Sequence, residues 1–240
     1  MRKTTLLLLA LVLAPSAQAI AGEPDKVLFV GNSFTYYNNG LHKHYESIVE
    51  SANGLLHSRI MTISSGRLPE HIAGLPSLAA SEDWDVVVLQ GYSKGPIGDD
   101  TGEAFRKAAT QLVRVIRDSD ARPAFFMTWA YIDEPEMTAL LDDAYTSIGK
   151  KLDAQVVPVG LAFERAIQLR PDLKLRIADR KHPTIAGTYL AACTFYAALQ
   201  QQNPEGLSYT AGLDPVDAAF LQSVAWDTVE NYSSRSKPLH

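Results

Sequence analysis

Two rhythms of apolar and polar residues run along the chain. Asp85 to Leu89 (DVVVL) is a short apolar run with no two-residue alternation, and Lys26 to Val30 (KVLFV) and Pro123 to Thr128 (PAFFMT) are similar. Such runs suit strands covered on both faces. Ser58 to Ile63 (SRIMTI) predicts another strand, and Gln155 to Val159 (QVVPV) a last one. Pro158 has no N–H to give a ladder, so it argues for an edge position or a strand end. Between these runs the period lengthens. Gly102 to Asp118 places Phe105, Ala109, Leu112, Val113 and Ile116 on one side of a helix. Helices are also predicted at His42 to Asn53, ending near Gly54, and at Glu134 to Leu152, where Pro135 suits the first turn. Others fall at Leu161 to Leu169, Thr184 to Leu199 and Pro215 to Asn231, and a weaker one at Pro69 to Ala80, interrupted by Gly74 and Pro76. Strands alternating with helices imply a parallel sheet with right-handed crossovers. The fold class expected is α/β, a three-layer α/β/α sandwich of about five strands.

The first residues follow a different logic. Arg2 and Lys3 precede the apolar run Leu6 to Leu13, and Ala17-Gln18-Ala19 is a small-x-small cleavage signature. That order reads as a secretory signal peptide over residues 1–19, with Ala19-Ile20-Ala21 as a second cleavage site. The apolar run is far short of the roughly 20 residues that span a bilayer, so no stable membrane insertion is expected. The expected location is secreted or periplasmic, with residues 20–240 forming one domain. Loss of Arg2 and Lys3 takes the formal net charge from −5 to −7. A mildly acidic domain has no electrostatic reason to seek nucleic acid or an anionic membrane. Cys193 is the single cysteine, so no intrachain disulfide forms and the core must hold the fold.

In an open parallel sheet, ligands gather outside the carboxyl ends of the strands. The segments there are Gly31-Asn32-Ser33-Phe34-Thr35, Ser64-Ser65-Gly66, Gln90-Gly91-Tyr92-Ser93 and Trp129-Ala130-Tyr131. They are rich in hydroxyls, amides, small residues and aromatics, and carry no carboxylate. Asp179-Arg180-Lys181-His182-Pro183 follows near a helix entry. A serine hydroxyl becomes a useful nucleophile only when a base takes its proton. Histidine suits that role because imidazole titrates near neutrality, and a carboxylate must then fix its tautomer. Ser33, His182 and Asp179 supply those three groups. Asp179 and His182 are three residues apart, so one turn can aim both into one cleft. Gly66 offers an unobstructed N–H for an oxyanion.

These blocks resemble the SGNH (GDSL-type) hydrolases. Gly31-Asn32-Ser33-Phe34-Thr35 resembles their nucleophile block, Asp179-x-x-His182 their acid and base block, and Ser65-Gly66 falls where they place an oxyanion glycine. The resemblance covers roughly Asp25 to Ser234, which matches the domain length of that family. It implies a flavodoxin-like sheet, acyl-ester hydrolysis through an acyl-enzyme, no metal and no cofactor. It makes Ser33, Asp179 and His182 catalytic, and Ser33 and Gly66 oxyanion donors. The third block departs: the family has Gly-x-Asn where this chain has Gln90-Gly91-Tyr92-Ser93. Tyr92 stands at the asparagine position, and Gln90 is the candidate replacement donor. Asn32, Tyr92 and Trp129 are candidate substrate contacts, with Tyr131 beside them and core packing an equal explanation for Trp129.

The expected partner is a small-molecule or carbohydrate acyl ester, with short acyl groups favoured because no extended apolar lid is evident. Lipid or thioester acyl chains are the alternative. A non-catalytic binding protein on a degenerate scaffold is a rival from another class, motivated by the altered third block. A flavodoxin-like nucleotide binder is disfavoured by the lack of a phosphate-binding sequence. Gly91 to Gly102, with four glycines, reads as a flexible rim loop. His42 and His44 lack a completing acidic or cysteine cluster and read as exposed helix residues, while His57 and His71 show no evident partner. Cys193 reads as a buried small hydrophobe.

Overall fold

A computed structural model describes residues 22–235, and the expected leader with its cleavage sites lies outside that range. Five strands form one parallel sheet: β1 (Lys26–Gly31), β2 (His57–Thr62), β3 (Val86–Gln90), β4 (Arg122–Phe126) and β5 (Gln155–Val157). Their spatial order is β2-β1-β3-β4-β5, the doubly wound flavodoxin-like order. β1, β3 and β4 are apolar throughout their centres because both sheet faces are covered: Val27, Leu28, Val87, Leu89 and Phe125 have no exposed surface.

Among the described residues, eight α-helices complete the layers: α1 (Ser33–Tyr36), α2 (Leu41–Ser51), α3 (Leu75–Ala79), α4 (Asp99–Asp118), α5 (Met137–Leu152), α6 (Val159–Leu169), α7 (Ile185–Phe195) and α8 (Pro215–Arg235). α2, α6, α7 and α8 pack on one another to form one layer, and α3, α4 and α5 form the other. α7 is buried from Ala186 to Phe195 because α2, α6 and α8 surround it. That explains its almost wholly apolar sequence. The residue-based fold class therefore holds, a five-stranded α/β/α sandwich.

Several boundaries differ from the sequence reading for local reasons. The helix expected over Pro69 to Ala80 is a 3-10 turn at Leu68–His71 followed by the short α3. The chain breaks at Gly74, where a Cβ would come 2.5 Å from Met61 Cε. α5 begins at Met137, since residues 134–136 form only turn bonds such as Met137 N–H to Glu134 O (3.1 Å). β5 stops at Val157 and lies at the sheet edge; Pro158 caps α6, which starts earlier than expected. α7 passes into a π-helical turn at Tyr196–Gln200. His42 and His44 are buried, not exposed, because α2 turns that face toward α7 and the Tyr209 loop. The rim segment after β3 is pinned rather than free: Gly95 N–H and Gly98 N–H donate to Tyr92 O and Lys94 O, and Lys94 pairs with Glu134.

Candidate active site

The order β2-β1-β3 makes the β1/β3 boundary the switch point, where successive crossovers leave opposite faces and open a crevice. Ser33 lies at that point. Asn32 is extended (φ −141°) and caps α1, its Oδ1 accepting the Phe34 N–H at 3.2 Å. Ser33 is the first helical residue, and its N–H has no acceptor among the described residues. The turn is clasped from β3. Gln90 Oε1 accepts from Asn32 N–H (3.1 Å) and from Thr35 Oγ1 (2.7 Å), while its Nε2 donates to Asn32 Oδ1 (2.8 Å) and Gly91 O (2.8 Å). Gly31 permits this approach: a Cβ there would lie 2.4 Å from Gln90 Oε1.

The candidate acid and base, Asp179 and His182, come from a loop between α6 and α7. It folds back on itself through Arg180 N–H to Ile177 O (2.9 Å) and Ile177 N–H to His182 O (2.9 Å), with Arg180 left-handed at φ 70°. Asp179 Oδ1 accepts the N–H groups of Lys181 and His182, each at 3.0 Å. Its Oδ2 lies 2.5 Å from His182 Nδ1, and His182 Nε2 lies 2.8 Å from Ser33 Oγ. With an ionised Asp179 accepting from Nδ1–H, Nε2 is left to accept the serine proton. The imidazole is stacked on Tyr37 (4.3 Å, 11°) and meets the edge of Phe34 (5.6 Å, 81°). Partial burial pushes the Asp179 carboxyl up, but the His182 ring, the two backbone N–H donors and the imidazole's charge outweigh it. The net result lies below the ordinary aspartate value.

Ser33, His182 and Asp179 thus meet in one hydrogen-bonded chain. The other candidates stand differently. Gly66 N–H donates to Ile63 O at 2.8 Å, closing the tight turn that holds Ser65 at φ 55°, so it is not presented to the crevice. Gly66 O instead receives Asn32 Nδ2–H at 3.0 Å. Gln90 has no hydrogen left to offer, since both Nε2 protons are committed. Asn32 is buried in the same clasp and is a turn-forming residue, not an exposed substrate contact. Trp129 is 0% exposed, sandwiched by Phe34 (4.4 Å) and Phe163 (4.2 Å), so it belongs to the core. Tyr131 is also buried, its hydroxyl 2.5 Å from Ser93 Oγ.

Tyr92 remains half-exposed. Arg67 lies over its ring at 5.8 Å, and the two enclose a cavity of about 240 Å³ with Leu68, Pro69, Ala104 and Phe105. Arg67 and Tyr92 follow Gly66 and Gly91 in the chain, but neither Ser33 nor His182 lines that cavity. Sequence reasoning missed Tyr37 and Phe34 as neighbours of the imidazole, and Asn38 as a donor to the adjacent Pro183 carbonyl. Their one signal was proximity in sequence to Ser33.

No family model matches the sequence, and no curated protein matches it. Solved structures do. A DUF4886 family protein from Bacteroides uniformis superposes with a TM-score of 0.74 at 22% identity, covering 85% of this chain and 94% of its own. A putative SGNH hydrolase from Slackia heliotrinireducens gives a TM-score of 0.61 at 24% identity over 72% of this chain and 97% of its own. The fold is that of the SGNH hydrolases. A mutant of Axe2, an acetyl-xylooligosaccharide esterase from Geobacillus Stearmophilus, superposes with a TM-score of 0.61 at 16% identity over 75% of this chain and 95% of its own.

Proposed function

We propose that this chain is a serine ester hydrolase acting through an acyl-enzyme on short acyl esters, acetyl above all, borne by a carbohydrate. The observation that carries the reading is the relay from Ser33 Oγ to His182 Nε2 (2.8 Å) and from His182 Nδ1 to Asp179 Oδ2 (2.5 Å). His182 takes the Ser33 proton as Oγ attacks the ester carbonyl carbon, and the carbonyl electrons move to oxygen. The N–H of Ser33 is the uncommitted donor for that oxyanion. Collapse expels the alcohol, which leaves with the proton held by His182. Water then gives a proton to His182, attacks the acyl-enzyme and releases the acid, returning the proton to Ser33.

The activity named for Axe2 supports acetyl groups on a sugar chain as the first substrates to try. Export to the periplasm or outside the cell belongs to the same proposal and rests on residues 1–19.

A fluorophosphonate probe followed by mass spectrometry tests the reading. The probe should modify Ser33, and Ser33→Ala should abolish both labelling and acyl-ester turnover while leaving the fold intact. A specific observation also favours a second reading, a non-catalytic binding protein: Gly66 N–H and the Gln90 amide are both consumed internally. A missing oxyanion donor costs about 10²- to 10³-fold in rate. Clean resistance of the folded chain to the probe, with no turnover of short or long acyl esters, would select that second reading.

A further inference from the structure

Besides the contacts of its side chain, His182 is held through the backbone around it. Three consecutive carbonyls, those of Lys181, His182 and Pro183, each accept a hydrogen bond. The His182 carbonyl is held within its own loop by Ile177 N–H. The flanking two are held from elsewhere. Trp129 Nε1–H donates to Lys181 O at 2.9 Å, and Asn38 Nδ2–H donates to Pro183 O at 3.0 Å.

Both donors are built into the nucleophile's own surroundings. Trp129 is stacked on Phe34, the residue after Ser33, with rings nearly parallel at 8°. It opens a segment that grips the acid–base loop twice more: Ile132 N–H reaches Arg180 O (3.1 Å), and Arg176 reaches Ala130 O (2.5 Å). Asn38 lies just past the cap of α1, Tyr37, and sits at φ 53°, a left-handed conformation in which asparagine is tolerated. Its amide also reaches Thr188 Oγ1 (2.7 Å), and its own carbonyl accepts from His44 Nε2 (2.7 Å). His44 Nδ1 in turn accepts from the Tyr209 hydroxyl at 2.8 Å. Buried His44 thereby fixes the turn that carries Asn38.

We infer that Trp129 and Asn38 are positioning residues which register the acid–base loop against the nucleophile turn, setting His182 between Ser33 and Asp179. The inference rests on the esterase reading for its kinetic consequence, though not for its structural one. Each side chain ties a nucleophile-side element to one side of His182, so losing either tie lets the imidazole drift. Drift of that kind is costly, because a misplacement of about 1 Å can reduce a rate about 10²-fold.

Two substitutions isolate the ties. Trp129→Phe keeps an aromatic ring between Phe34 and Phe163 and removes the indole N–H. Asn38→Gly removes the amide and suits the left-handed backbone. Each should lower kcat on p-nitrophenyl acetate about tenfold with KM nearly unchanged. Proton NMR supplies a readout independent of turnover. The His182 Nδ1 proton, assigned by its disappearance in Asp179→Asn, should exchange with solvent faster in both variants than in the parent chain. Unchanged kcat in both, or a Nδ1 proton as protected as in the parent, would overturn the inference. If the parent chain proves inert to acyl esters and to fluorophosphonate, the esterase reading fails, and the exchange rates alone decide whether these side chains hold the imidazole. If Trp129→Phe does not fold, Asn38→Gly decides by the same measurements.

Discussion

Asp179 serves two partners with one carboxylate. One oxygen organises its own loop by accepting two backbone N–H groups, and the other faces His182. Asp179→Asn keeps the size but replaces one acceptor oxygen with a donor. Either the loop or the imidazole tautomer then loses its partner. Turnover should fall about 10³- to 10⁴-fold, with some loss of thermal stability at neutral pH where the ionised carboxylate supports the loop, checked by kinetics and calorimetry on the same preparation. The sign of the pH effect follows from the lowered carboxyl. A depressed acid stabilises the fold fully above its unfolded value and withdraws that support as pH falls through the folded one. Asp179 therefore keeps the loop closed through the mildly acidic range, and its contribution goes only under strong acid. Gln90 teaches a different lesson at this scale. Its type and position suggested an oxyanion donor, yet its four hydrogen-bonding capacities close on Asn32, Thr35 and Gly91. Which neighbours compete for an amide is a property of the surroundings, invisible in the residue itself.

Among the elements, the 3-10 turn Leu68–His71 carries the most consequential surprise. His71 is fully buried there, and neither ring nitrogen has a hydrogen-bond partner among the described residues. The Gly31 backbone is nearby but outside hydrogen-bonding geometry. Burial holds His71 below the ordinary histidine value, against the nearby Glu70 charge, and burial likewise lowers His42 on α2. A base depressed in the folded state binds fewer protons than the unfolded chain does. Stability is then complete above about pH 6.5 and declines as pH drops below it. The melting temperature should fall between pH 7 and pH 5, and His71→Leu should flatten that decline without loss at pH 7. An equal slope in the variant would remove His71 from the account. The same stretch carries the interruption read in sequence at Gly74 and Pro76: Pro76 stands in the first turn of α3, and Gly74 leaves room for the end of Met61.

For the whole molecule, a sheet covered on both faces and the buried helix α7 hold the fold without covalent help. Cys193 lies within α7, 0% exposed, with its thiol pushed up to about 12 by burial. The native chain should resist an aromatic disulfide reagent, and one thiol should react when the chain unfolds; reductant should leave the melting temperature unchanged. The strand runs, the helices between them and the resulting layers were legible in sequence because each reflects a local period of burial. The Ser33 and Asp179-x-x-His182 segments were legible too, as small dense groups of chemically unusual residues beside strand and helix ends. Their meeting was not, since it depends on a loop about 150 positions away folding against α1. Nor were the burial of Trp129 and His44, the occupation of the Gly66 N–H, or the grip of Asn38 on Pro183. Local pattern tells a residue which face it prefers. Distant segments arriving at the β1/β3 crevice decide which hydrogen bonds are already taken and which remain free to meet a ligand.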